Sequence, residues 1–168
     1  MVSSGNSPVH LLCLDKSHAK AVRELEQRCF SMPWSEAQCR EAFMQPFFAA
    51  FGLVLGTRLV AYISVYHTLN ELEILNLAVA PEERRRGFGR RTLDMALQVA
   101  RKMGIERAVL EVRAGNNPAI SLYQSCGFVM EAVRPYYYSD TGEDALIYDC
   151  RLCPSSGTEY DNAKNYSR

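Results

Sequence analysis

Hydrophobic residues along this chain change rhythm several times, and each change marks an element. "VHLLCL", residues 9 to 14, is an apolar run of strand length. Residues 17–29 set Ala21, Val22, Leu25 and Cys29 at helical spacing. Ser35 and Gln38 then form a capping-box signature ahead of a second helix. "FAAFGLVLG" and "RLVAYISVYHT" flank Gly56 and Thr57 as a hairpin, and "ELEILNLAV" is a further strand. Leu93, Ala96, Leu97, Ala100 and Met103 make the apolar stripe of a helix over 87–103. "IERAVLEVR" reads as a strand, and Asn117 before Pro118 supplies the N-cap and first turn of a short helix that Gly127 closes. "FVMEAVRPYYY" and "EDALIYDCRL" form a last hairpin around "SDTGE". The order β-α-α-β-β-β-α-β-α-β-β predicts an α/β (α+β) domain with a mixed sheet.

One strand is irregular. In "ELEILNLAV" the odd positions carry Glu71 and Glu73, then Leu75, Leu77 and Val79. A β-bulge produces such a change of face, and so does a strand passing from rim to core.

With 168 residues, 48% hydrophobic and 23% charged, the chain suits one globular domain, expected over 9–153, with loose polar termini at 1–8 and 154–168. The first apolar run is too short for a signal peptide or a membrane span, so a soluble, cytoplasmic protein is expected. Lys plus Arg equals Asp plus Glu at 19 each, which argues against a general nucleic-acid binder. The six cysteines sit mostly among apolar residues and read as small buried hydrophobes. Cys150 and Cys153 form a C-x-x-C with no second pair at zinc-like spacing, and no metal is expected.

Charge is concentrated locally. "RRRGFGRR", residues 84 to 91, lies where a strand hands over to a helix. Free amides at a helix start attract an anion, glycine lets the backbone approach it, and arginine matches phosphate oxygens. Taken alone, the arginines fit a solvated basic turn or an RNA patch equally well; the glycine spacing at the junction favours a pyrophosphate cradle. The lysine of a P-loop and the third glycine of a dinucleotide turn are both missing. Two further residues invite chemistry. Glu111 shares strand parity with Ile105 and Val109, so burial would raise its pKa; a rim ion pair with Arg113 or Arg107 is the plainer reading. Tyr123 lies beside Ala119 and Cys126 on the short helix, as a core aromatic would.

"VAPEERRRGFGRRTL" resembles the acetyl-CoA signature of the GNAT acetyltransferases, R/Q-x-x-G-x-G/A, through Arg84, Gly87 and Gly89. "FSMPWS", "LEVRAGNNPAISLYQSCGF" and "RPYYYSDTGEDAL" are similar to the RimI-type ribosomal-protein-alanine N-acetyltransferases, and the last also to catalytic subunits of N-terminal acetyltransferases. The resemblance spans about 9 to 150 and implies a GNAT fold: a mostly antiparallel sheet of about seven strands, splayed at its centre, with four helices. It implies acetyl-CoA as cosubstrate, its pyrophosphate on Arg84, Arg85, Arg86, Gly87, Phe88, Gly89 and Arg90. Leu77, Ala78 and Val79 would present backbone to the pantetheine arm. Asn116 would touch the cofactor, although a helix cap shared with Asn117 explains it equally.

Further implications concern catalysis. Glu111 would be the general base and Tyr123 the acid for the leaving thiolate, with direct attack by the amine. No acyl-enzyme is expected at Cys126, since the three histidines are dispersed. Phe30, Trp34, Arg134, Tyr137 and Tyr138 would line the acceptor groove, although Trp34 equally suits a staple for its helix. The implied acceptor is a protein N-terminus, foremost the N-terminal alanine of a small-subunit ribosomal protein, steered by Glu71, Glu73, Asp140, Glu143 and Asp144. Neither nucleic acid nor membrane is expected as a partner. Broader N-terminal, lysine or small-amine acceptors are the catalytic alternatives; an acetyl-CoA sensor or a nucleic-acid module stand outside catalysis.

Overall fold

Seven strands and four helices follow one another in the expected order in the computed structural model, which describes residues 8–152. The strands are β1 (Val9–Leu14), β2 (Phe48–Leu55), β3 (Arg58–His67), β4 (Glu71–Val79), β5 (Arg107–Arg113), β6 (Val129–Tyr138) and β7 (Glu143–Arg151). The helices are α1 (Ala19–Cys29), α2 (Glu36–Ala42), α3 (Phe88–Lys102) and α4 (Asn117–Ser125). Expectations for residues 1–7, for Cys153 and for the tail from Pro154 lie outside the described residues.

Local chemistry fixes most boundaries. Ser35 Oγ accepts from the Gln38 amide at 3.2 Å while Gln38 Oε1 accepts from the Ser35 amide at 2.8 Å, so the predicted capping box opens α2. The expected helix at 17–29 starts later. Asp15 caps a 3₁₀ turn over Lys16–His18, and the α-helix begins at Ala19. At α4 the cap is Asn116 rather than Asn117: Asn116 Oδ1 accepts from the Ala119 amide at 3.3 Å. A proline is tolerated at either of the first two helical positions, so Pro118 did not fix the frame.

The sheet order is β1-β2-β3-β4-β5-β7-β6, with only β4 and β5 parallel. On one face α3 and α4 cover a core that includes Leu72, Ile74, Leu93, Leu97 and Leu110. On the other, Val22 and Leu25 of α1 and Cys39 of α2 cover Leu14, Ala50, Tyr62 and Ala78 of β1 to β4. That second face is left open over β5 and β7, where Val109, Glu111, Arg113 and Ile147 are half-buried.

The irregular strand is a bulge. Ser64 pairs with Asn76 and Val65 with Ile74, leaving Leu75 unpaired. Leu72 and Ile74 face α3 before it; Leu77 packs on that side after it, and Ala78 turns to α1. The β4–β5 ladder runs from Glu71↔Arg107 to Ile74↔Leu110 and stops there, so the two strands separate from the bulge onward. This is the splay expected at the centre of the sheet.

Leu97 is 1% exposed within the α3 core. Leu97→Ala is expected to lower unfolding free energy by about 2–5 kcal/mol, read as a fall in the urea midpoint at unchanged m-value.

Candidate active site

Between β4 and α3 the backbone twice enters the left-handed region, at Arg85 (φ 62°) and Gly87 (φ 79°). Successive amides are thereby turned to one side, as in an anion nest. Among the described residues, none of the amides from Arg85 to Arg90 has a protein acceptor. The two glycines serve different ends. At Gly87 a Cβ would meet nothing, so the left-handed backbone is the requirement; at Gly89 it would meet Leu122 Cδ2 at 3.3 Å and Val79 Cγ2 at 3.4 Å, so close packing is. Phe88 turns its ring into the core with Leu53, Val60 and Ala61, leaving only its backbone at the turn.

The arginines divide. Arg84 Nε donates to the Val79 carbonyl at 3.2 Å, Arg86 pairs with the buried Glu83, and Arg90 pairs with Asp94 at 3.2 Å. Glu83 also holds Arg58 at 2.7 Å, and Glu82 takes Arg28 and Arg58. Arg85 and Arg91 have no acidic partner among the described residues. The cradle is therefore a scaffolded cluster, with some of its charge already matched.

On the opposite face a cleft of about 290 Å³ is lined by Glu71, Glu73, Arg107, Val109, Glu111 and Arg134, among others. Glu111 does pair with an arginine, but with Arg134 of β6 at 2.6 Å rather than Arg107 or Arg113. Tyr137 joins them: its hydroxyl is pushed above its ordinary value first by hydrogen bonding to Glu111. Arg134 lies 5.5 Å from the Tyr137 ring centre. A register shift between Arg134 and Tyr138 makes this convergence possible, with Tyr136 at φ 52° and its amide held by Asp144 Oδ1 at 2.9 Å. Backbone of this kind persists only where its surroundings hold it, as Asp144 does here. Arg107 is occupied by Asp149, Glu131 and Glu71.

Tyr138 stacks under Arg113, 3.9 Å from the ring centre, and meets Tyr137 edge-on at 5.2 Å. Arg113 binds Asp140 at 2.8 Å, and Asp140 accepts from Ser31 Oγ at 3.0 Å, so the α1–α2 loop and the β6–β7 turn are clasped together. Phe30 and Trp34 of that loop pack on the α1–α2 core, and Trp34 lies 6.3 Å from Phe48. That contact suits the staple reading, while both rings remain half-exposed. Tyr123 is buried against Phe128 at 5.8 Å, and burial, then the neighbouring Tyr138, pushes its hydroxyl far above the usual tyrosine value. Cys150 is buried, and no cluster of metal-ligating side chains occurs among the described residues.

Sequence reading missed two buried acids, Glu26 and Glu83. Glu26 carried a signal: it sits on the apolar stripe of α1 beside Val22, Leu25 and Cys29.

The model of the acetyltransferase (GNAT) family matches residues 19–128. The chain is 34% identical over 136 residues to the ribosomal protein bS18-alanine N-acetyltransferase of Escherichia coli, spanning 80% of this chain and 91% of that one. It is 32% identical over 150 residues to the N-alpha-acetyltransferase RimI of Mycobacterium tuberculosis, spanning 86% and 93%. The crystal structure of the ribosomal-protein-S18-alanine N-acetyltransferase from Escherichia coli superposes with a TM-score of 0.82 at 30% identity, covering 91% of this chain and 99% of that one.

Gly87→Ala places a side chain in the left-handed region and is expected to cost about 1–2 kcal/mol of stability. Chemical denaturation reads it, with Gly56→Ala (φ 64°) in the β2–β3 turn as a matched control that leaves the cradle intact.

Proposed function

The chain belongs to the GNAT acetyltransferase family, and from that premise we propose that it moves the acetyl group of acetyl-CoA to the α-amine of a protein N-terminus, foremost the alanine that begins a small-subunit ribosomal protein. The observation that carries this reading is the separation of β4 from β5 after Ile74, with free amides on one side of the gap and the Glu111 cleft on the other. A nucleotide-bearing thioester held at one side and an amine arriving at the other would meet in that gap. The cleft is open and flanked by loops, which favours an extended polypeptide over a small amine.

The residues fit the cosubstrate. Amides 85 to 90 and the Arg85 side chain would receive the pyrophosphate, with Arg84, Arg86 and Arg90 framing them. Beyond the bulge, Leu77, Ala78 and Val79 belong to the segment of β4 that no longer pairs with β5, and their edge would face the pantetheine arm. Asn116 acts in this reading through its cap, fixing the first turn of α4.

Glu111 is the base we assign. A peptide α-amine has a pKa near 8, so only a modest acceptor is needed, and Arg134 and Tyr137 hold the carboxylate in one place. The amine nitrogen then bonds to the thioester carbon, the carbon–sulfur bond breaks, and the sulfur leaves with the electron pair. Tyr123 donates to that sulfur. Its burial keeps the hydroxyl protonated, which makes it a standing hydrogen-bond donor as charge develops. Tyr138 and the half-exposed faces of Phe30 and Trp34 would wall the peptide, and the acids around the cleft would draw a basic segment. We place the reaction in the cytoplasm, without a metal, nucleic acid or membrane; no helix among the described residues is long and apolar enough to cross a bilayer.

Mass spectrometry of a library of free-N-terminus peptides incubated with acetyl-CoA is expected to show acetylation strongest on alanine-first members. Preference for an N-blocked lysine peptide or a polyamine would replace the acceptor class. Glu111→Gln and Tyr123→Phe are each expected to lower kcat by about a hundred- to ten-thousand-fold at unchanged coenzyme A affinity. The pH profile follows from the raised Tyr123. The acid form persists to higher pH than in a free tyrosine, near 10, so kcat/KM should rise to a plateau as the amine deprotonates and show no descending limb below about pH 10.

A further inference from the structure

Glu26 is 0% exposed and lies within α1, away from the cleft floor. Its Oε2 accepts from the Trp34 amide at 2.6 Å; its Oε1 accepts from Asn76 Nδ2 at 2.9 Å and from the Tyr62 hydroxyl. No cation pairs with it among the described residues. A carboxylate is rarely taken fully out of water without a counter-charge, and here three donors compensate it. Tyr62 stays protonated for this role, since burial first and the Glu26 charge second push its hydroxyl well above the ordinary value.

The positions of these donors give the cluster its meaning. Trp34 belongs to the α1–α2 loop, which also carries Phe30 and the Ser31 clasp to Asp140. Asn76 follows the bulged Leu75, at the point where β4 leaves β5. We propose that Glu26 is a positioning residue that ties the acceptor-side loop to the bulged segment of β4, so that the peptide wall is held in fixed relation to the gap. This rests on the acetyl-transfer reading for its consequence in catalysis, but the mechanical coupling itself does not.

The chemistry distinguishes variants. Glu26→Leu fills the space and removes both acceptors. Asn76 and Tyr62 then keep a buried alternative in Ser64 Oγ, which lies across from Asn76 and has no hydrogen-bond partner. The Trp34 amide has none. Glu26→Gln keeps one oxygen for the Trp34 amide, because the Tyr62 hydroxyl and the Asn76 carboxamide can each reverse to accept from its nitrogen. Glu26→Asp is one methylene too short to reach both sides at once.

Trp34 is the sole tryptophan, so its fluorescence reports the loop directly. In the full-length protein, Glu26→Leu is expected to raise acrylamide quenching of Trp34 and to raise the acceptor KM about tenfold, the size of one lost charge-assisted hydrogen bond. Coenzyme A affinity should stay within about twofold. Glu26→Gln should restore both readouts, and Ile105→Val, a core truncation on the far face, should move neither. If Glu26→Leu does not fold, Glu26→Asp takes its place with the same expectation. Wild-type quenching and KM in the folded variant, or equal changes in Ile105→Val, would overturn the coupling. If the wild-type protein acetylates no peptide at all, the functional reading falls, and the quenching series alone decides the role of Glu26.

Discussion

One extra residue in β4 governs the molecule. Leu75 has no partner on β3, and because side chains in a strand alternate, its insertion moves every later residue of β4 to the other face. The first half of the strand lends Leu72 and Ile74 to the α3 core; the second half gives Asn76 and Ala78 to the α1 side. The same insertion coincides with the end of the parallel ladder to β5. Without the insertion, Asn76 and Ala78 would face the α3 core instead of the α1 side.

What flanks the gap is polarised, although the chain as a whole is neutral. Arginines gather at the start of α3, and buried Glu83 with its neighbour Glu82 braces Arg28, Arg58 and Arg86 around them. Acids gather around the cleft, where Glu111 is paired with Arg134. The surface pairs individually contribute little stability. Their arrangement instead keeps guanidinium groups beside an open row of amides without leaving them to collapse onto it.

Patterns of local origin were legible in the sequence. The Ser35–Gln38 capping box, the Gly56 turn and the α3 stripe from Leu93 to Ala100 each depend on residues a few positions apart and stand where the pattern put them, while Met103, expected to end that stripe, is exposed just past the helix. Failures came where the partner is distant or the local rule is degenerate. Nothing in "LEVR" indicates that Glu111 would choose Arg134 over Arg113, because strand order β5-β7-β6 brings β6 near only after folding. Asn116 and Asn117 compete for one cap, and proline suits both frames. Glu26 was visible as a polar residue on an apolar stripe, yet its three donors come from a loop and two strands that the stripe does not name.

The narrow fit at Gly89 reaches further than the turn it belongs to. A Cβ added there would press on Leu122, the residue before Tyr123, and on Val79, the last residue of β4. Three elements thus meet at a point where only glycine leaves room for the Leu122 and Val79 side chains. Whatever displaces the first turn of α3 therefore presses on α4, so in the proposed reaction a change in the cosubstrate's seat would also re-aim the tyrosine hydroxyl.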